Sequence, residues 1–188
     1  MRQQHPIRVK FVTFEALGLI QIGAILDYPL DPLIAPITET FPHVDVRVAQ
    51  TIADAPEAYD SRRNQYHSTR ILTLLENYVR KMQLDKLLGV ASFDLYVPEM
   101  NFVFGEARSP GSVGVISTYR LKPKNRNETD LLRSRVVKEA VHEIGHMMDL
   151  KHCSRATCVM HFSETLRDTD DKSSDFCETC KSQLKVNV

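Results

Sequence analysis

Between Leu132 and Met148 the apolar side chains recur at helical spacing. Leu132, Val136, Ala140 and Ile144 follow one another four residues apart, with Val137, Val141 and Met148 beside them. Such a stripe predicts a helix that must be buried against another layer. Thr129 is placed to cap its start, and Asp130 falls in the first turn, where the helix dipole favours negative charge. Inside this apolar helix stand His142, Glu143 and His146. Residues four apart share a face, so the two imidazoles converge on one point. Burying both without a partner would cost several kcal/mol, and zinc, which takes neutral imidazole nitrogen, is a partner that fits the spacing. His152, six residues beyond His146, is a candidate third ligand if the chain turns after the helix. Three protein ligands leave one position open for water. Glu143, next to the first ligand, is then the candidate general base for that zinc-activated water.

The remaining chain supplies the layer against which this helix packs. Ile7 to Phe14 reads as a core strand, Asp31 to Thr40 as a helix stopped by Pro42, and Val44 to Val48 as a second strand. Ser68 to Leu84 carries Ile71, Leu74, Leu75, Tyr78, Val79 and Met82 on one face, which predicts a long amphipathic helix ended by Gly89. Val90 to Val97, Phe102 to Glu106 and Val113 to Leu121 read as three further strands, the short middle one being the candidate edge. This order describes an α/β sandwich with a mixed sheet.

All four cysteines, Cys153, Cys158, Cys177 and Cys180, lie in the last quarter of the chain. Two closely spaced thiol pairs are how a tetrahedral sulfur site for zinc is usually assembled; two disulfides are the alternative. At 188 residues and 21.5 kDa the chain fits one domain. Its 24 basic and 24 acidic residues cancel, so the charge calls for no nucleic-acid or membrane partner. The absence of Trp leaves little for base stacking. Phe11 to Leu26 is too short to span a bilayer, and Glu15 and Gln21 interrupt it as an export signal. The expected setting is therefore the cytoplasm, where thiols stay reduced unless a metal takes them.

His142-Glu143-x-x-His146-x-x-Asp149-x-x-His152 resembles the extended zinc signature of the metzincins. Its continuation through Cys153, Cys158 and Met160 to Cys177 and Cys180 resembles the archaemetzincins, a family of zinc metallopeptidases. The resemblance implies an upper α/β subdomain carrying the active-site helix, residues 1–149, and a small lower subdomain, residues 150–188, within a single domain. It implies two zinc ions, one catalytic and one held by the four cysteines, with Met160 forming a Met-turn beneath the first. It also implies that the edge strand Phe102, Val103, Phe104, Gly105 and Glu106 pairs with an extended substrate, giving affinity with little side-chain selectivity. One departure stands out: Asp149 occupies a position where glycine is expected, because the helix must end there in a left-handed conformation.

The function expected is hydrolysis of peptide bonds by a monomeric enzyme acting on a peptide or protein. A zinc-stabilised binding protein with a weak or inactive site, and a metal-dependent amidase acting on small substrates, are the alternatives. A His-Glu-x-x-His string arises by chance in many proteins, Met160 read alone is a core methionine, and His161 and His67 have no assigned role. No motif places an oxyanion stabiliser; Tyr119, at a strand end, is the only suggestion.

Overall fold

The structure is a computed structural model and describes residues 14–23, 28–125 and 127–184. The strand expected at Ile7 to Phe14 falls outside these residues except for Phe14, a buried core residue just before the first strand, β1 (Ala16–Ile22). The helix α1 (Asp31–Thr40) and the strand β2 (Asp45–Val48) follow, close to their expected bounds. Two short strands, β3 (Tyr59–Asp60) and β4 (Gln65–His67), lead into α2 (Ser68–Met82). After it come β5 (Lys86–Ala91), β6 (Leu95–Tyr96), β7 (Gly105–Ala107) and β8 (Val113–Ser117). The helix α3 (Thr129–Met147) and two short helices, α4 (Leu166–Asp171) and α5 (Glu178–Leu184), complete the order.

The main sheet has the order β2-β1-β5-β8-β7. Its first four strands are parallel, and β7 runs antiparallel to β8 at the edge. The sheet is therefore mixed, as expected, with helices on both faces. One face packs on α2 through Ile71, Leu72, Leu75 and Val79, and the other on α3 through Val136, Ala140, Val141 and Ile144. A second sheet, β3-β4-β6, is three strands wide; β6 falls within the strand expected at Val90 to Val97, while β3 and β4 lie outside the expected element list.

Several boundaries differ from expectation. Strand β8 stops at Ser117, short of Leu121. Helix α2 stops at Gln83, whose φ of 55° is left-handed, with Leu84 N–H donating to the Val79 carbonyl. Gly89 does not end it. That glycine lies inside β5, where a Cβ would meet Ile22 at 2.6 Å and Leu75 at 3.0 Å, so it serves close packing between sheet and helix. The run expected as one strand from Val90 to Val97 is split between β5, which begins at Lys86 and is buried throughout, and β6, which the bent segment 92–94 carries into the second sheet. Thr129 is the first helical residue of α3 instead of its cap; Glu128 takes the cap position with no side-chain bond.

Candidate active site and metal centres

Helix α3 ends in a turn that brings its histidines together with His152. Asp149 adopts φ 69°. Its N–H donates to the His146 carbonyl at 2.9 Å, and the Leu150 N–H reaches back to Gly145 at 3.0 Å. These two bonds make a Schellman motif, the ending glycine usually provides. The turn folds the Leu150 carbonyl onto Nδ1 of His146 at 2.8 Å. Nδ1 of His142 meets the Val159 carbonyl at 2.7 Å. With both Nδ1 atoms tied to carbonyls, both Nε2 atoms face the same space, 3.1 Å apart. Hydrogen bonds of this kind fix ring orientation and tautomer in metal-binding histidines.

The ring of His152 lies 5.4 Å from that of His142 and 4.8 Å from that of His146, and the three ligand nitrogens are within 4.8 Å of one another. A tetrahedral zinc site with nitrogens at about 2.0–2.1 Å has edges of about 3.3–3.4 Å, so the trio fits a zinc ion with modest adjustment. Burial pulls the imidazoles toward their neutral, ligating form: His142 falls well below its ordinary value, and His146 to about 4.

Glu143 is buried beside this trio, and its Oε2 has no hydrogen-bond partner. Burial, and secondarily the charge of Glu139, raises its carboxyl well above the ordinary range. Room for it comes from the edge strand. A Cβ on Gly105 would stand 2.5 Å from Oε1 of Glu143 and 2.8 Å from the Val115 carbonyl oxygen. The expected edge strand is thus shifted: β7 covers Gly105 to Ala107, while Phe102, Val103 and Phe104 approach it as a loop in which Val103 bridges to Leu95. All five residues from Phe102 to Glu106 line a cleft of about 1150 Å³ that also holds His142, Glu143, His146 and His152. The Glu106 carboxylate is taken up by Ser68 Oγ at 2.5 Å and Thr69 Oγ1 at 2.9 Å, at the start of α2. Tyr119 is half-exposed on the turn after β8 and is not among the cleft-lining residues. His67 lines the far end of the cleft, and His161 Nδ1 meets the Cys153 carbonyl at 3.0 Å.

The four cysteines converge as a second group. Their Sγ atoms lie within 4.8 Å of one another, with Cys153 to Cys177 at 3.8 Å and Cys158 to Cys180 at 3.7 Å. These separations exclude disulfides. They match the edge of about 3.8 Å expected for a tetrahedron of sulfurs about 2.3 Å from zinc. Cys177 directly precedes α5, and the Cys180 N–H toward its sulfur draws the thiol down to about 6. Met160 sits between the two groups and is fully buried; a Cβ on Gly145 would meet its sulfur at 2.5 Å. Its carbonyl accepts the Cys153 N–H at 2.9 Å.

Sequence reasoning placed Gly105 only on the edge strand, without its role in making room for Glu143, and missed Gly145, whose lack of a side chain admits Met160. It also missed Glu139, which lines the cleft, and Lys172, its buried ion-pair partner with Nζ and Oε1 2.9 Å apart. Glu139 stands four residues before Glu143, a spacing that puts both on one helix face.

The description "Peptidase family M54" fits residues 34–186. The archaemetzincin of Methanopyrus kandleri is 40% identical over 164 residues, covering 84% of this chain and 91% of its own. That of Archaeoglobus fulgidus is 45% identical over 129 residues, covering 69% and 74%. The crystal structure of the Archaeoglobus fulgidus archaemetzincin complexed with malonate matches with a TM-score of 0.78 at 38% identity, over 89% of this chain and 99% of that one. A zinc-dependent peptidase from Methanocorpusculum labreanum matches with a TM-score of 0.78 at 28% identity, over 90% and 100%. The α/β architecture, the histidine and cysteine groups and these likenesses agree: the chain belongs to peptidase family M54, the archaemetzincins, and is a zinc metallopeptidase.

Proposed function

We propose that His142, His146 and His152 hold a catalytic zinc, that Glu143 is the general base, and that Cys153, Cys158, Cys177 and Cys180 hold a second, structural zinc. The observation that carries the reading is the convergence of three imidazole nitrogens beside a buried carboxylate oxygen without a partner. Zinc bound there supplies Lewis acidity, lowering the pKa of a water toward about 7 and polarising the scissile carbonyl. Glu143 accepts the proton of the attacking water and returns it to the leaving amine. Strand β7 offers its free backbone edge to an extended peptide, and the loop through Phe102 and Phe104 forms the adjoining wall. Met160, packed against Gly145, forms the floor as the Met-turn. The Schellman turn at Asp149 favours this reading over a weakened two-histidine site.

The reading extends to a monomer in the cytoplasm, acting on a peptide or protein within one domain whose upper part ends near residue 149. Support for a reducing compartment is the set of four free thiols at metal-ligand separations. No described helix is long and apolar enough to cross a membrane.

Incubating zinc-loaded protein with a broad peptide library, beside Glu143→Gln, tests the assignment. Two zinc ions in both proteins, with cleavage by the wild type alone and a loss of at least about 100-fold in the variant, is the expected result. Absence of cleavage by the zinc-loaded wild type would favour the binding-protein reading.

A further inference from the structure

The cleft wall includes Glu139, one half of a charged pair that the hydrolytic reading leaves unused. The side chain of Lys172 is 0% exposed, and its Nζ is 2.9 Å from Oε1 of Glu139, which is 4% exposed. Removing two charges from water is costly, and a buried pair is often no more stabilising than apolar residues of the same volume. What distinguishes this pair is its connections. Thr169, also buried, donates Oγ1 to the same Glu139 oxygen at 3.3 Å. Lys172 Nζ also donates to the His161 carbonyl at 3.4 Å. Next to it the Ser173 N–H donates to the Thr157 carbonyl, and the Val159 N–H to the Asp175 carbonyl, each at 3.0 Å. Residues 172–175 are thereby zipped onto the turn formed by residues 157–161.

That turn presents the Val159 carbonyl to Nδ1 of His142 at 2.7 Å. Glu139 lies three residues before His142 on α3, on the same face. The contacts close a ring: helix to Glu139, Glu139 to Lys172, Lys172 to the turn, and the turn through Val159 back to His142. We propose that Lys172 and Glu139 are a positioning pair, locking the turn against α3 so that the Val159 carbonyl aims the His142 imidazole at the metal. The inference rests on His142 being a zinc ligand. Glu139 also lines the cleft, but the role proposed for the pair is exercised through His142.

A neighbouring contact supplies the control. Arg135, two turns earlier on α3, holds Asp170 by two bonds of 2.7 Å. It fastens the same C-terminal stretch to the same helix, with its bonds going to Asp170 and the Leu121 carbonyl and not to the turn that orients His142.

Lys172→Met alone would strand a buried carboxylate, so the informative variant is Glu139→Gln/Lys172→Met, which removes both charges. Zinc affinity, read by chelator competition, needs no turnover. The double variant is expected to keep its cysteine-bound zinc and to lose about 10–100-fold in affinity at the histidines. The His142 Nδ1–H resonance should shift or broaden in long-range 1H–15N spectra. Arg135→Gln should lower Tm while leaving affinity and resonance unchanged. Should the double variant fail to fold, Glu139→Asp, which keeps both charges but shortens the reach, carries the same test. A folded variant with unchanged affinity and resonance, or an equal loss in Arg135→Gln, overturns the proposal. Wild-type protein that binds zinc only at its cysteines refutes the three-histidine reading instead.

Discussion

Asp149 shows how one residue can decide a site from outside it. Its left-handed conformation closes the Schellman turn that returns Leu150 to His146 and delivers His152. Asp tolerates this region better than most side chains, which explains how the turn forms without glycine. Asp149→Gly should therefore keep stability within about 1 kcal/mol and keep histidine-site zinc affinity, since relief of strain and gain of unfolded-state entropy oppose each other. Asp149→Val, β-branched in the same conformation, should cost about 1–2 kcal/mol and weaken that affinity; urea unfolding and chelator competition measure both. Gly105 is the complementary case, a residue required for what it lacks. In Gly105→Ala the new methyl meets Glu143 on one side and the backbone oxygen of Val115 on the other. The carboxylate is the one that can move. Zinc content should persist while kcat falls about 100-fold, the scale of effect a displacement of about 1 Å can have. The residue types of the site were legible because spacing on a helix dictates convergence. The room that Gly105 leaves for Glu143 was not, because it depends on a strand and a helix 38 residues apart in sequence meeting at one oxygen.

At the scale of elements, helix interiors were legible and the end of α2 was not. The apolar stripes of α2 and α3 face the sheet as their spacing requires. Both helices, however, end in left-handed residues that are not glycine, Gln83 and Asp149. A reading that searches for glycine overshoots the first by six residues, to Gly89. The end of α3 has a further device hidden in a strand. Lys86, buried in β5, donates Nζ to the carbonyls of Met147 at 3.1 Å and Gly111 at 2.7 Å. It thus caps the active-site helix and pins it to the β7–β8 loop. Lys86→Met should cost about 1–3 kcal/mol by leaving buried carbonyls short of a donor. Burial also lowers the Lys86 pKa below 10.5. Between the folded value and 10.5 the unfolded chain binds more protons, so stability from this residue rises with pH across that window. The difference between wild type and Lys86→Met should accordingly be larger at pH 10 than at pH 7, as urea midpoints would show.

For the whole molecule, the alternation of strands and helices made an α/β sandwich legible. The small β3-β4-β6 sheet was not, because strands of two or three residues carry no periodic signal. The more consequential feature is how the C-terminal stretch joins the rest. Its helices have six and seven residues, too short to persist alone. Two things hold it. One hydrophobic cluster runs from Phe14 through α1 and α3 to Val159, Met160, Phe176 and Leu184, with Phe41 bridging Phe14 and Phe176 at centroid distances of 5.8 and 5.9 Å. The cysteine group closes the stretch on itself, and Cys153 follows His152 directly. Because the core crosses residue 149, the two parts should unfold together. Scanning calorimetry of the zinc-loaded protein should show one transition, with calorimetric and van't Hoff enthalpies equal. Removing the zinc proposed at the cysteines, with a strong chelator or through Cys177→Ser, should lower that transition, since metal binding and folding are linked. It should also weaken zinc at the histidines, because the thiol site anchors the residue next to His152. Two resolved transitions in the zinc-loaded protein would mean that residues 150–184 fold as a separate unit. Unchanged histidine-site affinity in Cys177→Ser would mean that the hydrophobic cluster alone holds His152 in place.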